Sequence, residues 1–219
     1  MPLDRQFIVR QAFLVLNEAG LDGLTLRRLA AQLDVKAPAL YWHFKSKQDL
    51  LDEMAATVLR DSMENSASLE AIKPWPVWAA AYYRILRLTL LQYRDGAKMF
   101  SGTYLTDVDL FAPMEASLRR FVEAGFTLRQ SVVGLGALYS YTIGFVIEEQ
   151  ATQLAPGVPN PQYDLTARDQ RVRKEKYPLA AAAGAEMFLQ HDTRFAEGIA
   201  LILEGMALQL GRAKPRRKK

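Results

Sequence analysis

Apolar residues recur at helical spacing along most of this 219-residue chain. Over residues 4–19, Phe7, Ile8, Gln11, Ala12, Val15 and Leu16 fall near one face, the i, i+3, i+4 recurrence of an amphipathic helix that Gly20 is placed to end. Thr25 can cap a second, short helix with Leu26, Leu29, Ala30 and Leu33 inward. Asp34-Val-Lys-Ala-Pro38 starts a third, since proline in a first turn gives up an N–H that the helix does not use. Ser46 caps a fourth, running through Leu50, Leu51, Met54, Ala55 and Val58 to about residue 63.

Residues 64–76 break the period and read as a connector. Helical spacing resumes at about 77–93, 95–101, 107–124 and 127–153. Residues 154–177 begin rich in Pro and Gly and end in the charged run RDQRVRKEK, which predicts a loop. Two more helices are expected near 178–190 and 193–210. No alternation of strand length stands out, so the expected fold is all-α with no sheet.

Composition narrows the chemistry. Hydrophobic residues at 50% and charged residues at 24% are the balance of a folded domain rather than a disordered chain. With no Cys there is no disulfide framework, thiolate zinc site or cysteine nucleophile. His43 and His191 are the only histidines, too few for a histidine metal cage, and no metal or cofactor is expected. There is no Gly-rich phosphate loop or serine elbow, so an enzyme is not the expectation. The opening MPLDRQF lacks a basic-then-apolar leader, and no apolar run approaches the ~20 residues of a membrane span, so a cytoplasmic chain is expected.

The net charge of +4 comes from the end of the chain. RAKPRRKK, residues 212–219, carries six positive charges, and without it 22 Lys+Arg face 24 Asp+Glu. Such a tail reads as a disordered, solubilising end or as a supplementary DNA contact. A basic cluster internal to the chain is more informative. Over residues 25–48, Arg27, Arg28, Lys36, Lys45 and Lys47 face Asp34 alone.

Three short helices with tight turns in the first 45 residues suggest a helix-turn-helix unit. Leu40 and Phe44 can anchor the third helix, while small Ala37, Pro38 and Ala39 let its start approach base edges. Tyr41, Trp42, His43 and Lys47 are donors suited to phosphates, and Arg27 can reach a phosphate or a guanine edge. The competing reading makes Tyr41 and Trp42 core aromatics.

The run Gly23-Leu-Thr-Leu-Arg-Arg-Leu-Ala, then Leu33-Asp-Val, then Ala39-Leu-Tyr-Trp-His-Phe-Lys-Ser-Lys resembles the DNA-binding domain of the tetracycline-repressor (TetR) family. Tyr93-Arg-Asp-Gly-Ala-Lys-Met-Phe-Ser-Gly-Thr103, Glu123-Ala-Gly-Phe-Thr-Leu and Tyr141-Thr-Ile-Gly-Phe-Val-Ile-Glu-Glu-Gln150 resemble that family's ligand-binding part. The resemblance implies a homodimer on a palindromic double-stranded operator, released by a small-molecule effector. It implies a helix-turn-helix domain at 1–46, a connecting helix at 47–63, a ligand-binding and dimerisation domain at 64–211 and the tail at 212–219. Thr25, Arg27, Ala37, Pro38, Ala39, Tyr41, Trp42, His43 and Lys47 are its DNA-binding positions. Its pocket positions are Met63, Tyr82, Leu86, Phe100, Thr103, Tyr104, Ser117, Leu138, Tyr141 and Glu148. By chain order, 127–153 and 193–210 form the dimer interface, with Phe195, Ile199, Ile202, Leu203, Met206 and Leu210 as a stripe and Gly198 and Gly205 allowing close approach. Alternatively, that stripe packs inside its own subunit.

The departures from this pattern are chemical. Tetracycline repressors hold a drug–magnesium chelate with a His and an Asn on the drug and a second His on the metal. Those positions are Met63, Tyr82 and Phe100 here, and only Thr103 and Glu148 survive from the polar set. A phenyl ring or a thioether is no ligand for a hard cation. Trp75, Trp78, Tyr82, Phe100, Tyr104, Phe111, Tyr139 and Tyr141 fall in the pocket segments instead, which favours an aromatic or amphipathic effector, with Glu148 a charged contact for a cationic one. The alternative makes these aromatics core. In the reader, Ala37-Pro-Ala39 replaces the family's Gln-Pro-Thr, so the amide that reads adenine is gone. A constitutive, ligand-independent DNA-binding regulator is the alternative function.

Overall fold

The computed structural model describes residues 3–104 and 108–213, and the described part is helical apart from one small ribbon. Helix α1 (Arg5–Gly23) starts at Asp4, whose carboxylate accepts the Phe7 N–H at 2.7 Å. Gly20 breaks it at φ +71°, ψ 177°, a conformation essentially reserved for glycine. Thr25 and Ser46 cap α2 (Leu26–Gln32) and α4 (Lys47–Ser66) by accepting the N–H groups of Arg28 and Asp49, both at 3.1 Å. Between them lies α3 (Ala37–Tyr41), with Pro38 in its first turn. Leu40 and Phe44 are fully buried with Ile8, Leu16, Leu29, Leu50 and Met54, so one small core fixes α3.

The body contains α5 (Trp75–Leu91), α6 (Gly96–Phe100), α7 (Phe111–Glu123), α8 (Leu128–Ala151), α9 (Leu165–Arg171), α10 (Pro178–Phe188) and α11 (His191–Ala213). Helix α4 passes from the head into this body and packs on α5 and α6, while α5, α8 and α11 pack on one another. Arg87 on α5 is 2% exposed and joins the three by donating to both carboxylate oxygens of Glu149 (2.6 and 2.8 Å) and to Asp192 (2.6 Å).

Three sequence expectations need correction. The predicted loop at 154–177 holds α9, capped by Asp164 onto the Ala167 N–H at 2.8 Å. A two-stranded antiparallel ribbon, β1 (Gln153–Ala155) with β2 (Val158–Pro159), exists where no sheet was expected. Strands of three and two residues are too short for an alternating pattern to register. Lastly, the α11 stripe faces inward: Phe195, Ile199, Leu203 and Met206 are buried. Gly198 gives close approach to Tyr141 of the same subunit, whose hydroxyl would lie 1.9 Å from an added Cβ. The outward apolar residues of α11 are Leu201 and Leu208, and those of α8 include Leu128, Val132 and Val133. With an outer face this apolar, α8 has the length and hydropathy of a membrane span, against the expectation that no apolar run approaches one; its other face is packed against α5 and α11.

Candidate functional site

At the head, α3 presents a surface rather than a pocket. Trp42 is 89% exposed and Tyr41 54%, so the reading of both as core aromatics fails. Large exposed aromatics side by side mark a contact surface. Thr25, Arg27, Lys36, Pro38 and Lys45 are exposed around them, while Ala37, Ala39 and His43 are half-buried. Arg28 is drawn aside by Glu18 at 2.9 Å. Lys47 is occupied as well: its ammonium donates to the Leu21 carbonyl at 2.7 Å and so helps close the end of α1. Arg5 staples the turn after α3 by donating to the His43 carbonyl and stacking 4.3 Å over the Phe44 ring. No local pattern around Arg5 marks it for that role.

In the body, a cavity of about 540 Å³ lies among α4, α5, α6, α7 and α8. Six of the expected pocket residues line it: Tyr82, Leu86, Phe100, Thr103, Tyr104 and Ser117. Phe111 and Tyr139, from the aromatic set, line it too. Leu59, Leu110, Pro113, Met114, Leu135 and Gly136 complete much of the wall and were not singled out in the sequence; apolar residues on an amphipathic helix look alike whether they face a core or a cavity. None of the described lining residues carries a formal charge.

Four expected pocket residues stand away from this cavity within one subunit. Met63 is half-buried one turn beyond Leu59. Leu138 is fully buried in the core. Tyr141 stacks on Phe195 at 5.6 Å and donates to the Arg194 carbonyl at 3.2 Å. Glu148 is nine residues past Tyr139, about 13 Å further along α8, and lies at a separate cavity of about 210 Å³ with Phe145, His191 and Arg194. Trp75 and Trp78 are packing residues: Trp75 meets Phe126 edge-on at 5.0 Å, and Trp78 stacks behind Tyr82 at 5.3 Å.

Hydrogen bonding leaves the cavity with an unequal set of polar groups. The Thr103 hydroxyl donates to the Phe100 carbonyl (2.7 Å), Ser117 to Pro113 (2.8 Å) and Tyr83 to Leu135 (3.1 Å). Burial pushes the phenols of Tyr82, Tyr83 and Tyr139 above their ordinary range, so all three stay protonated.

A short path joins cavity to head. Phe100 ends α6, and Asp95 precedes its start. The Asp95 carboxylate accepts the Leu21 N–H at 3.0 Å, just past the Gly20 break. Arg94 donates from its backbone to the Asn17 side chain and from its guanidinium to the Glu18 carbonyl, both at 2.9 Å. Tyr93 stacks on Phe13 at 4.2 Å. Only four residues thus separate Phe100 in the cavity wall from Asp95, whose bond holds α1.

Residues 8–54 match the family described as bacterial regulatory proteins, tetR family, and residues 74–210 match the tetracyclin repressor-like C-terminal domain. The chain is similar to the tetracycline repressor protein class A from transposon 1721 of Escherichia coli, at 36% identity over 204 residues, 91% of this chain and 88% of that protein. Among solved structures it is similar to a possible TetR family transcriptional regulator from Streptomyces coelicolor A3(2), with TM-score 0.82, 34% identity, and 94% of this chain and 99% of that one covered. It is also similar to TetR (class A) in complex with 5a,6-anhydrotetracycline and magnesium, with TM-score 0.67, 31% identity, and 94% and 98% covered.

Proposed function

This chain belongs to the TetR family of bacterial regulatory proteins, and on that premise we propose that it is a ligand-responsive transcriptional repressor, binding a palindromic operator as a homodimer and released by a small aromatic effector. The observation that carries this reading is the aromatic-lined cavity coupled through α6 to α1. In the head, α3 enters the major groove through Ala37, Pro38 and Ala39, with Tyr41, Trp42, His43 and Thr25 on phosphates and Arg27 on a phosphate or a guanine. Two such heads meet successive grooves about 34–36 Å apart, or somewhat more, only if two copies pair. The outward apolar faces of α8 and α11 supply the pairing surface.

A ligand with equal affinity for both head spacings releases nothing; release requires a cavity shape that differs between them. Displacing Phe100 and Thr103 moves α6, and with it the Asp95 and Arg94 bonds on α1.

The magnesium held in the class A complex does not fit this cavity. Phe100 stands at the metal-binding position of the resemblance, and the described wall offers only neutral hydroxyls. Entering oxygens and cation would lose water without recovering ligands.

The test is operator selection and footprinting, followed by titration of the complex with tetracycline, with and without EDTA, and with uncharged aromatic compounds. A two-fold symmetric footprint, no response to tetracycline–magnesium and metal-independent release by an aromatic compound are expected. A single asymmetric half-site, or nanomolar release by tetracycline that EDTA abolishes, would overturn the reading. Compounds that fill the cavity and leave operator affinity unchanged would favour a constitutive regulator.

A further inference from the structure

We infer that the effector is an uncharged, flat aromatic compound whose oxygens accept hydrogen bonds from the hydroxyls of Tyr82 and Tyr139. This rests on the reading of the cavity as the effector site and names the chemistry that fits it.

Charge is the first discriminator. The described wall has no Asp, Glu, Lys, Arg or His, and no side-chain amide. Glu148, the one carboxylate that the sequence offered to a cation, lies at the other cavity. An ion buried here would shed its water with no counter-charge among the described wall residues to meet it, and burying an unpaired charge is the costliest exchange a site can make. Ring geometry does not rescue a cation. Tyr82 and Tyr83 meet edge to face at 5.4 Å, and Phe100 and Tyr139 are tilted by 50° at 6.3 Å. These rings pair with one another rather than turning several faces toward one point, as an aromatic cage for a cation must.

Hydrogen-bond direction is the second discriminator. Thr103, Ser117 and Tyr83 have already spent their protons on backbone carbonyls and keep only lone pairs. The hydroxyls of Tyr82, Tyr139 and Tyr104 make no hydrogen bond among the described residues, although all three residues line the cavity; Tyr104 is 74% exposed and so stays hydrated. The phenols of Tyr82 and Tyr139 stay protonated, so with the hydrated Tyr104 set aside the cavity presents two free donors. A phenol covered by ligand without an acceptor loses its hydrogen bond to water. A carbonyl oxygen, with two lone pairs, satisfies either donor or both. A hydroxyl on the same ligand finds acceptors at Thr103 and Ser117. The matching class is an aromatic ketone or quinone of two or three fused rings, small enough for a cavity of about 540 Å³.

The experiment measures direct binding to the full-length protein by calorimetry, using three flat probes of similar size. 9-Fluorenone is neutral with a carbonyl, fluorene is neutral without one, and N-methylacridinium is a cation. Fluorenone is expected to bind about ten-fold more tightly than fluorene, one or two net neutral hydrogen bonds' worth, and acridinium more weakly than both. In Y82F/Y139F the fluorenone preference should fall below about two-fold while fluorene affinity is kept, since the rings remain. Acridinium binding tightest, fluorene equalling fluorenone, or a preference that survives in Y82F/Y139F would each overturn the inference. Operator release is read separately. Fluorenone that binds in the expected order without releasing DNA supports this inference and counts against the proposed function. Absence of binding by all three probes overturns both.

Discussion

At Arg87 the chain commits a full charge to its interior. Its guanidinium is held between Glu149 and Asp192, with the Phe195 ring 5.2 Å away, and this joins three helices at one point. Removing one partner of a buried pair leaves the other uncompensated, so Arg87→Met should cost about 3–5 kcal/mol in denaturant unfolding. R87M/E149L should recover most of that loss, which a role confined to packing would not give. His191, beside this cluster, is held below its ordinary 6.5 by burial. The unfolded chain then binds the proton first, so stability is complete above pH 6.5 and falls as pH drops from there toward the lower folded value. Melting temperatures between pH 7.5 and 5 should show that slope, and His191→Gln should flatten it. Phe100 makes the functional point at this scale. Phe100→His should leave operator release by tetracycline–magnesium absent, because Met63 and Tyr82 still stand where the family pattern places its drug-holding His and Asn.

The joint between α1 and α6 is where elements matter more than single contacts. Gly20 takes a backbone conformation open to glycine, and an added Cβ would lie 2.9 Å from the Asp95 oxygen that accepts Leu21. Gly20→Ala should therefore cost about 1–3 kcal/mol from backbone strain alone. At about 2–4 °C per kcal/mol for a chain of this size, melting should drop by several degrees. Because the same change crowds Asp95, the concentration of effector needed for release should shift together with the melting point. A shift in melting alone would confine Gly20 to a structural role. The short α3 shows the opposite dependence. Its five residues are too few to persist alone, and buried Leu40 and Phe44 supply the anchorage that its own hydrogen bonds cannot.

For the molecule as a whole, the apolar residues left outside decide assembly. Leu201 and Leu208 on α11 are 71% and 65% exposed, so charging them should spare the subunit's own core. L201E/L208E should keep the helical circular-dichroism spectrum, sediment as a monomer and lose about a hundred-fold or more in operator affinity, since two linked heads bind with an advantage that one head lacks. A dimer that survives this double change would move the interface elsewhere.

Helix positions, caps and the helix-turn-helix head were legible from residues alone, because spacing, Thr25, Ser46 and Pro38 act locally and leave a local mark. The resemblance likewise places the family's metal-binding His at Phe100, a side chain with no ligand atom. What spacing could not tell was direction. The α11 stripe at Phe195 and Ile199 has the same period whether it meets α8 of its own subunit or of another, and only packing showed it turned inward with Tyr141 against Gly198. Distance along a helix misled in the same way. Tyr139 and Glu148 share α8, yet only one reaches the cavity, because its boundary is drawn by five helices meeting from distant parts of the chain. The absence of charge in the described wall, and the free phenols of Tyr82 and Tyr139, are properties of that meeting, and no single segment of the sequence contains them.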